Sequence, residues 1–229
     1  MPFLRHALIP GETIPRHIHD EAYAAVVLDG GYEEAGECGR WRVRAGDVLL
    51  HGRFSAHWNH RPGKALVLNL PLATDMPLPA MMRASDPDLL ARLAERDPIE
   101  AAAALTETLR PGQMALADTP DQLAQALSND DAPAVEAWAR DHGVTRETAF
   151  RWFRDAYGVG PARFRVEARA RRAWRAIVEG DATLAQIAAD LGFADQAHMS
   201  RDVKDLTGRA PGAWRVAARL QHSFKTRAA

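Results

Sequence analysis

Glu147, Phe150, Arg151 and Arg154 stand at i, i+3, i+4 and i+7, the spacing that puts side chains on one face of a helix. Their chemistry suits duplex DNA. A carboxylate accepts from the amino group of cytosine, and a guanidinium pairs bidentately with guanine. Further along, Gln196, His198, Arg201 and Lys204 form a second set. An amide donates and accepts at once, which suits adenine, while Lys204, like Arg154, suits phosphate.

The two sets lie in two copies of one pattern. Asp141 to Pro161 reads DHGVTRETAFRWFRDAYGVGP and Asp190 to Pro211 reads DLGFADQAHMSRDVKDLTGRAP. Gly143 matches Gly192 at an offset of 49, whereas Arg151, Asp155, Gly158 and Pro161 match Arg201, Asp205, Gly208 and Pro211 at an offset of 50, so the second copy carries one extra turn residue. Each copy has a short amphipathic helix, a Gly at the break and a second helix bearing cations, the outline of a helix-turn-helix. Thr145 caps a recognition helix running to Ala156. Between the copies, Pro161 to Gly180 reads as one helix, with Val166, Ala170, Ala173, Trp174 and Ile177 as its apolar stripe. At ~1.5 Å per residue, about 18 residues give a rod of roughly 27 Å, comparable to the ~34 Å between successive major-groove faces.

Charge divides the chain. Before Ala132 there are 12 Lys and Arg against 19 Asp and Glu; from Ala132 onward there are 17 against 11. An acidic front and a basic back fit a front domain joined to a phosphate-seeking one. Cys38 is the sole cysteine, which excludes an intrachain disulfide and a Cys-based zinc site. With no long apolar run or signal-like start, a cytoplasmic protein with no membrane partner is expected.

Strands are predicted at Tyr23 to Leu28, Trp41 to Val43, Val48 to Leu50 and Ala65 to Leu70, with turns at Asp29-Gly30-Gly31 and Ala45-Gly46-Asp47. Met76 to Pro79 breaks the pattern. Asp86-Pro87 and Asp97-Pro98 then start two short helices, and Thr119-Pro120 and Asp131-Ala132-Pro133 start others. Leu89, Leu90, Leu93, Ile99, Ala103 and Leu105 supply either a dimer seam or a face that packs on the chain's own sheet.

From about Asp118 to Arg219 the chain resembles the arabinose-regulator (AraC/XylS) class of bacterial transcription regulators. IAADLGFADQAHMSRDVKDLTGRAPGAWR carries most of the resemblance; Met199, Val203 and Leu206 stand where the family has larger aromatics. The resemblance implies that Arg146, Glu147, Phe150 and Arg151 lie where the family touches bases or nearby phosphates. Trp138, Val135, Ile187, Leu191, Phe193 and Trp214 are scaffold, and Phe153, Trp152 and Ala149 offer buried positions that leave Phe150 facing DNA.

The front is similar to a cupin β-barrel. Gly11, His17-Ile18-His19 and Gly30 fit one cupin motif; Gly46-Asp47 and His57 fit the second. His17 and His19 alternate on a strand and so share a face. With His57 they imply a site for a divalent metal: zinc, iron or nickel. Tyr23 replaces the usual metal-binding Glu, and Arg61 the Asn after the last His. Many regulators of the family keep the shell, lose the metal and hold a small effector. His51 and His60 read as surface or packing histidines, and Glu21 as a reserve ligand.

The expectation is an α+β chain: a small cupin-like sensory domain (1–75), linker or dimerisation helices (76–117), a tandem helix-turn-helix domain (118–221, units about 132–157 and 183–207) and a tail (222–229). It would be a DNA-binding regulator rather than an enzyme, since no nucleophile, acid–base pair or nucleotide loop is evident. Its partners would be double-stranded DNA, an effector or metal, a second copy and RNA polymerase. The alternative is a metal-dependent cupin enzyme with an accessory basic domain.

Overall fold

The computed structural model describes residues 5–11, 14–60, 63–72 and 80–227. Arg61 and the Met76 to Pro79 break lie outside them. The chain is α+β, as expected: an antiparallel sheet structure precedes a run of helices. Two compact units result, one of Met1–Gln125 with Phe150–Val159, the other of Ala126–Ala149 with Gly160–Ala229.

In the first unit β1 (Arg5–Leu8), β2 (Ile14–Ile18), β3 (Tyr23–Gly36), β4 (Gly39–Arg44), β5 (Asp47–His51), β6 (Ala56–His60), β7 (Ala65–Pro71), β8 (Met81–Arg83) and β9 (Arg110–Pro111) form two layers joined by β3. One runs β1-β7-β3-β5-β8-β9; in the other, β3 lies between β4 and β6, and β2 flanks β6. The residues expected to turn at Asp29-Gly30-Gly31 do not turn. They form a bulge within β3, with a register shift between Val27 and Asp29 against β7. Gly30 has φ +71°, and a Cβ there would lie 1.7 Å from the Lys64 carbonyl oxygen, so only glycine lets β3 pass from one layer into the other.

Alternation sorts the two faces of the sheet. Tyr23, Ala25 and Val27 join Tyr32, Trp41, Val43, Leu49 and Val67 in the core between the layers. Ala24, Val26, Val48, Leu68 and Leu70 face the other way and are covered by α1 (Pro87–Ala94) and α2 (Pro98–Thr108). The caps are those the sequence indicates: Asp86 accepts from the Leu89 amide at 2.8 Å and Asp97 from the Ile99 amide at 2.8 Å. Of the apolar helix residues, Leu90 and Leu105 are buried on the sheet and Leu93 packs against the same cluster, whereas Leu89 and Ile99 are exposed. The stretch expected as helical linker thus also contributes β8 and β9.

The remaining helices are α3 (Thr119–Ser128), α4 (Val135–Asp141), α5 (Arg146–Tyr157), α6 (Pro161–Glu179), α7 (Leu184–Asp190), α8 (Gln196–Thr207) and α9 (Pro211–Arg227), the last running through most of the residues expected as a tail. In the second unit α6 is continuous, as predicted, and buries Phe164, Ala170, Ala173, Trp174 and Ile177. Helices α7, α8 and α9 all pack on it. Met199, Val203 and Leu206 are buried, so the smaller apolar residues still fill the interior. Among the described residues no helix is long and apolar enough to cross a membrane.

Candidate functional site: a nucleic-acid interface and a histidine cavity

Each copy of the repeat becomes helix, turn, helix. Gly143 and Gly192, the matched residues at the two breaks, have φ of +68° and +67°. The intervening turns span 142–145 and 191–195, so the extra residue of the second copy falls between α7 and α8. Thr145 Oγ1 accepts from the Thr148 amide at 3.2 Å, and Asp195 Oδ1 from the His198 amide at 2.7 Å; each anchors the first turn of its second helix.

Arg146, Glu147, Arg151 and Arg154 are exposed, and Phe150 is 43% exposed despite its apolar ring. Arg146 pairs with Glu136 at 2.9 Å on the surface, an arrangement that DNA phosphates can replace at little cost. Trp152, expected as a buried position, is 38% exposed; Ala149 and Phe153 are the buried ones. On α8, Gln196, Arg201 and Lys204 are exposed. His198 is half-buried, with Nε2 3.5 Å from Asp202 and its ring edge-on to Phe193. Arg169 of α6 knits this end together: its guanidinium lies 4.2 Å from the Phe193 ring centre and donates to the Gly192 carbonyl at 3.2 Å.

In the sheet unit His17, His19 and His57 converge. Ring centres of His17 and His57 are 4.2 Å apart, and those of His17 and His19 are 4.7 Å apart. They line a cavity of about 160 Å³, with Tyr23, Tyr32, Glu34, Asn59 and Asn69 among its other walls. Tyr23, where a cupin Glu is expected, lies with its hydroxyl 3.2 Å from His57 Nε2. His51 is no surface residue: it is buried, stacked on Tyr23 at 4.5 Å and 4.3 Å from the His57 ring. Glu21 is exposed and stands outside both groups of ligand-type side chains found among the described residues, His17–His19–His57 and Glu34–His51–His57.

Burial dominates the protonation of His19, His51, His57 and Glu34. It lowers His19 to about 4, with His17 adding to the effect, and His51 to about 3, with His19 and His17 adding. His57 is pushed well below the usual histidine value, first by burial and then by His51. Burial lifts Glu34 to about 8, against a hydrogen bond from Tyr32 that works the other way. At neutral pH His19, His51 and His57 are uncharged and offer lone pairs, and the 3.4 Å contact of Glu34 with His51 joins largely neutral groups.

Residues 138–217 match a family model described as a helix-turn-helix domain. This segment is a helix-turn-helix domain. No curated protein sequence matches the chain. Among solved structures, the DNA-binding domain of AdpA, a global transcriptional factor in complex with a target DNA, is 25% identical, covering 46% of this chain and 96% of its own, with a TM-score of 0.42. A probable AraC family regulator from Rhodopseudomonas palustris CGA009 is 22% identical over 42% of this chain and 92% of its own, TM-score 0.38. Unsaturated fatty acid bound ToxT from Vibrio cholerae strain SCE256 is 12% identical over 92% and 93%, TM-score 0.41.

One cluster went unread in the sequence and ends inside the helix-turn-helix segment. Arg40 of β4, 7% exposed, donates to Glu33 at 2.7 Å, to both oxygens of Asp118 at 2.6 Å, and to Asp121 at 3.0 and 3.1 Å. The Tyr157 hydroxyl, at the last residue of α5, also donates to Asp121, at 2.8 Å. Burial opposes the charge on Arg40, but the hydrogen bonds it donates to Asp121, Asp118 and Glu33 prevail and hold it charged. One residue beyond Tyr157, Gly158 lies against the Trp58 ring, where a Cβ would come within 2.6 Å. Trp58 sits on β6 between His57 and Asn59, both walls of the histidine cavity.

Proposed function

We propose that the chain is a sequence-specific DNA-binding transcription regulator whose cupin-like sheet unit takes a small effector. The observation that carries this reading is the duplicated helix pair: matched glycines and caps hold unlike exposed side chains, so two different base sequences can be read. Arg146, Glu147, Phe150, Arg151 and Arg154 form one reading surface; Gln196, Arg201 and Lys204, with His198 at its margin, form the other. Glu147, Arg151, Gln196 and Arg201 contact bases, Arg146 a base or an adjoining phosphate, and Arg154 and Lys204 phosphate.

The cavity of about 160 Å³ accommodates a small organic molecule, with imidazole, phenol and amide groups to orient it. The same histidines fit a divalent metal. His17 Nδ1, 2.8 Å from the Pro15 carbonyl, donates to it and leaves Nε2 with a free lone pair. His17, His19 and His57 would hold such an ion, which when bound supplies a Lewis-acidic centre. Regulation requires the occupant to favour one DNA-binding state over another. Assembly as a homodimer and contact with RNA polymerase belong to the same reading. A metal-dependent enzyme is the competing reading, supported by the histidines alone; product formation by iron-loaded protein would favour it.

The test uses the full chain against a randomised duplex pool. Enrichment of a bipartite sequence is expected, with affinity falling by about 0.9 log units per log unit of salt for each phosphate neutralised. Failure to enrich any sequence, or binding indifferent to salt, would refute it.

A further inference from the structure

Beside the larger cavity lies one of about 20 Å³, walled by Glu34, His51 and His57 with Trp41, Leu49 and Ala56. A water needs ~10–15 Å³ measured in this way, so the space admits one small particle and no organic molecule. Glu37, Cys38 and Ser55 also line it, with Ser55 donating to Glu37 at 3.4 Å; Glu34, His51 and His57 come from three strands, β3, β5 and β6, and are 2%, 6% and 3% exposed. One oxygen or nitrogen from each lies within 4.8 Å of the others. His51 Nε2 and His57 Nδ1 are buried with no hydrogen-bond partner. Glu34 accepts from the Tyr32 hydroxyl at 3.3 Å through one oxygen, and its other oxygen lies 3.4 Å from His51 Nε2.

Buried ring nitrogens left without partners are unfavourable, and a single cation engages His51 Nε2, His57 Nδ1 and the Glu34 carboxyl group at once. We propose that Glu34, His51 and His57 bind one divalent transition-metal ion of the zinc or iron(II) class, at a position separate from the His17–His19 side of the larger cavity. Two imidazoles and one carboxylate are a ligand set for open zinc sites and for non-haem iron(II), whereas calcium and magnesium select oxygen ligands. The surroundings suit this role. His57 Nε2 can donate to the Tyr23 hydroxyl oxygen at 3.2 Å, which leaves Nδ1 as the lone-pair nitrogen, and Tyr32 steadies the second oxygen of Glu34. Glu34 and His57 wall both cavities, so the ion would form part of the boundary of the effector space. The proposal refines the sensory reading above and can fail without it.

The experiment uses tag-free full-length protein, stripped with chelator, then titrated with Zn²⁺ by calorimetry and with Co²⁺ by visible absorption. One equivalent is expected. Glu34→Gln and His51→Gln should each weaken Zn²⁺ at least about tenfold and change the cobalt spectrum, while His17→Ala and His19→Ala stay within about threefold of wild type. Glu34→Gln is nearly isosteric and carries the decision if His51→Gln does not fold. Wild-type protein that takes up no metal overturns the proposal, as do Glu34→Gln and His51→Gln proteins that bind normally. Loss of binding in His17→Ala with retention in Glu34→Gln overturns it too, by placing the ion at the other triad. DNA binding by the stripped wild type, measured alongside, reports separately on the regulator reading.

Discussion

Arg40→Ala should cost the sheet unit about 3 kcal/mol, the lower end of the ~3–5 kcal/mol for breaking a buried ion pair from one side. The lower end follows from what each carboxylate keeps. Asp118 has a side-chain exposure of 60% and rehydrates. Glu33 retains Arg42 at 3.2 Å, though Arg42 is itself 74% exposed. Asp121, at 6%, is left with the Tyr157 hydroxyl and the Asp118 amide at 3.1 Å, and carries most of the penalty. Arg42→Ala is the control: it shares Glu33 but sits in water, and should cost under ~1 kcal/mol. Urea unfolding followed by circular dichroism measures both. The sign of the pH dependence is also fixed. Burial would raise Glu33, but hydrogen bonds from Arg40 and Arg42 hold it below its usual 4.5. A depressed carboxylate stabilises the fold above its unfolded value, and that stability is lost as pH falls through the folded one. The gap between wild type and Arg40→Ala should therefore narrow below about pH 4.5. Equal losses in Arg40→Ala and Arg42→Ala, or a gap that widens in acid, would refute the reasoning.

Gly143→Ala meets no atom within 4 Å and pays only for its positive φ, ~1–2 kcal/mol, whereas Gly158→Ala pays that and also displaces the Trp58 ring. Gly158→Ala should be the more destabilised in thermal unfolding, and Trp58→Ala should remove the difference between them. Gln196→Ala should relax discrimination at one base pair by about 1–3 kcal/mol, while Lys204→Ala lowers affinity for all sequences alike and reduces the salt slope by about 1; competitive mobility shifts against single-base variants separate the two. Arg169→Lys loses the planar group over Phe193 and its fork toward Gly192 and Asp202, and should destabilise the second unit by about 1–2 kcal/mol in chemical denaturation.

Local chemistry made the helices legible. Asp-Pro pairs mark α1 and α2, Pro161 opens α6, and glycine at matched places marks both turns, because caps and positive φ are decided within a few residues. The His17–His19 pair was legible for a similar reason, since period two is a strand's own property. Glu34 was not. Before the bulge at Gly30 the odd residues Tyr23, Ala25 and Val27 face the core, and after it the even residue Tyr32 does, with Glu34 on the same side. Reading Asp29-Gly30-Gly31 as a turn hid this inversion of parity and with it the buried carboxylate. Arg40 was hidden by distance, with partners 78 and 81 residues away. His51 looked ordinary because only the pairing Tyr23↔His51 brings it to the cavity.

The seat of Gly158 on Trp58, beside the bond from Tyr157 to Asp121, bears on how such a chain can be rebuilt. Swapping sensors between regulators by gene fusion treats the parts as interchangeable cassettes, joined wherever a linker falls. Here the last turn of α5 is finished by the front half of the chain: Arg40 and Trp58 belong to strands, yet they complete the surroundings of residues 157 and 158. A fusion made near Asp118 would discard them. A working chimera needs Arg40 and Trp58 transplanted along with the helices, or a graft of the donor's equivalents, before its response to a new signal can be judged.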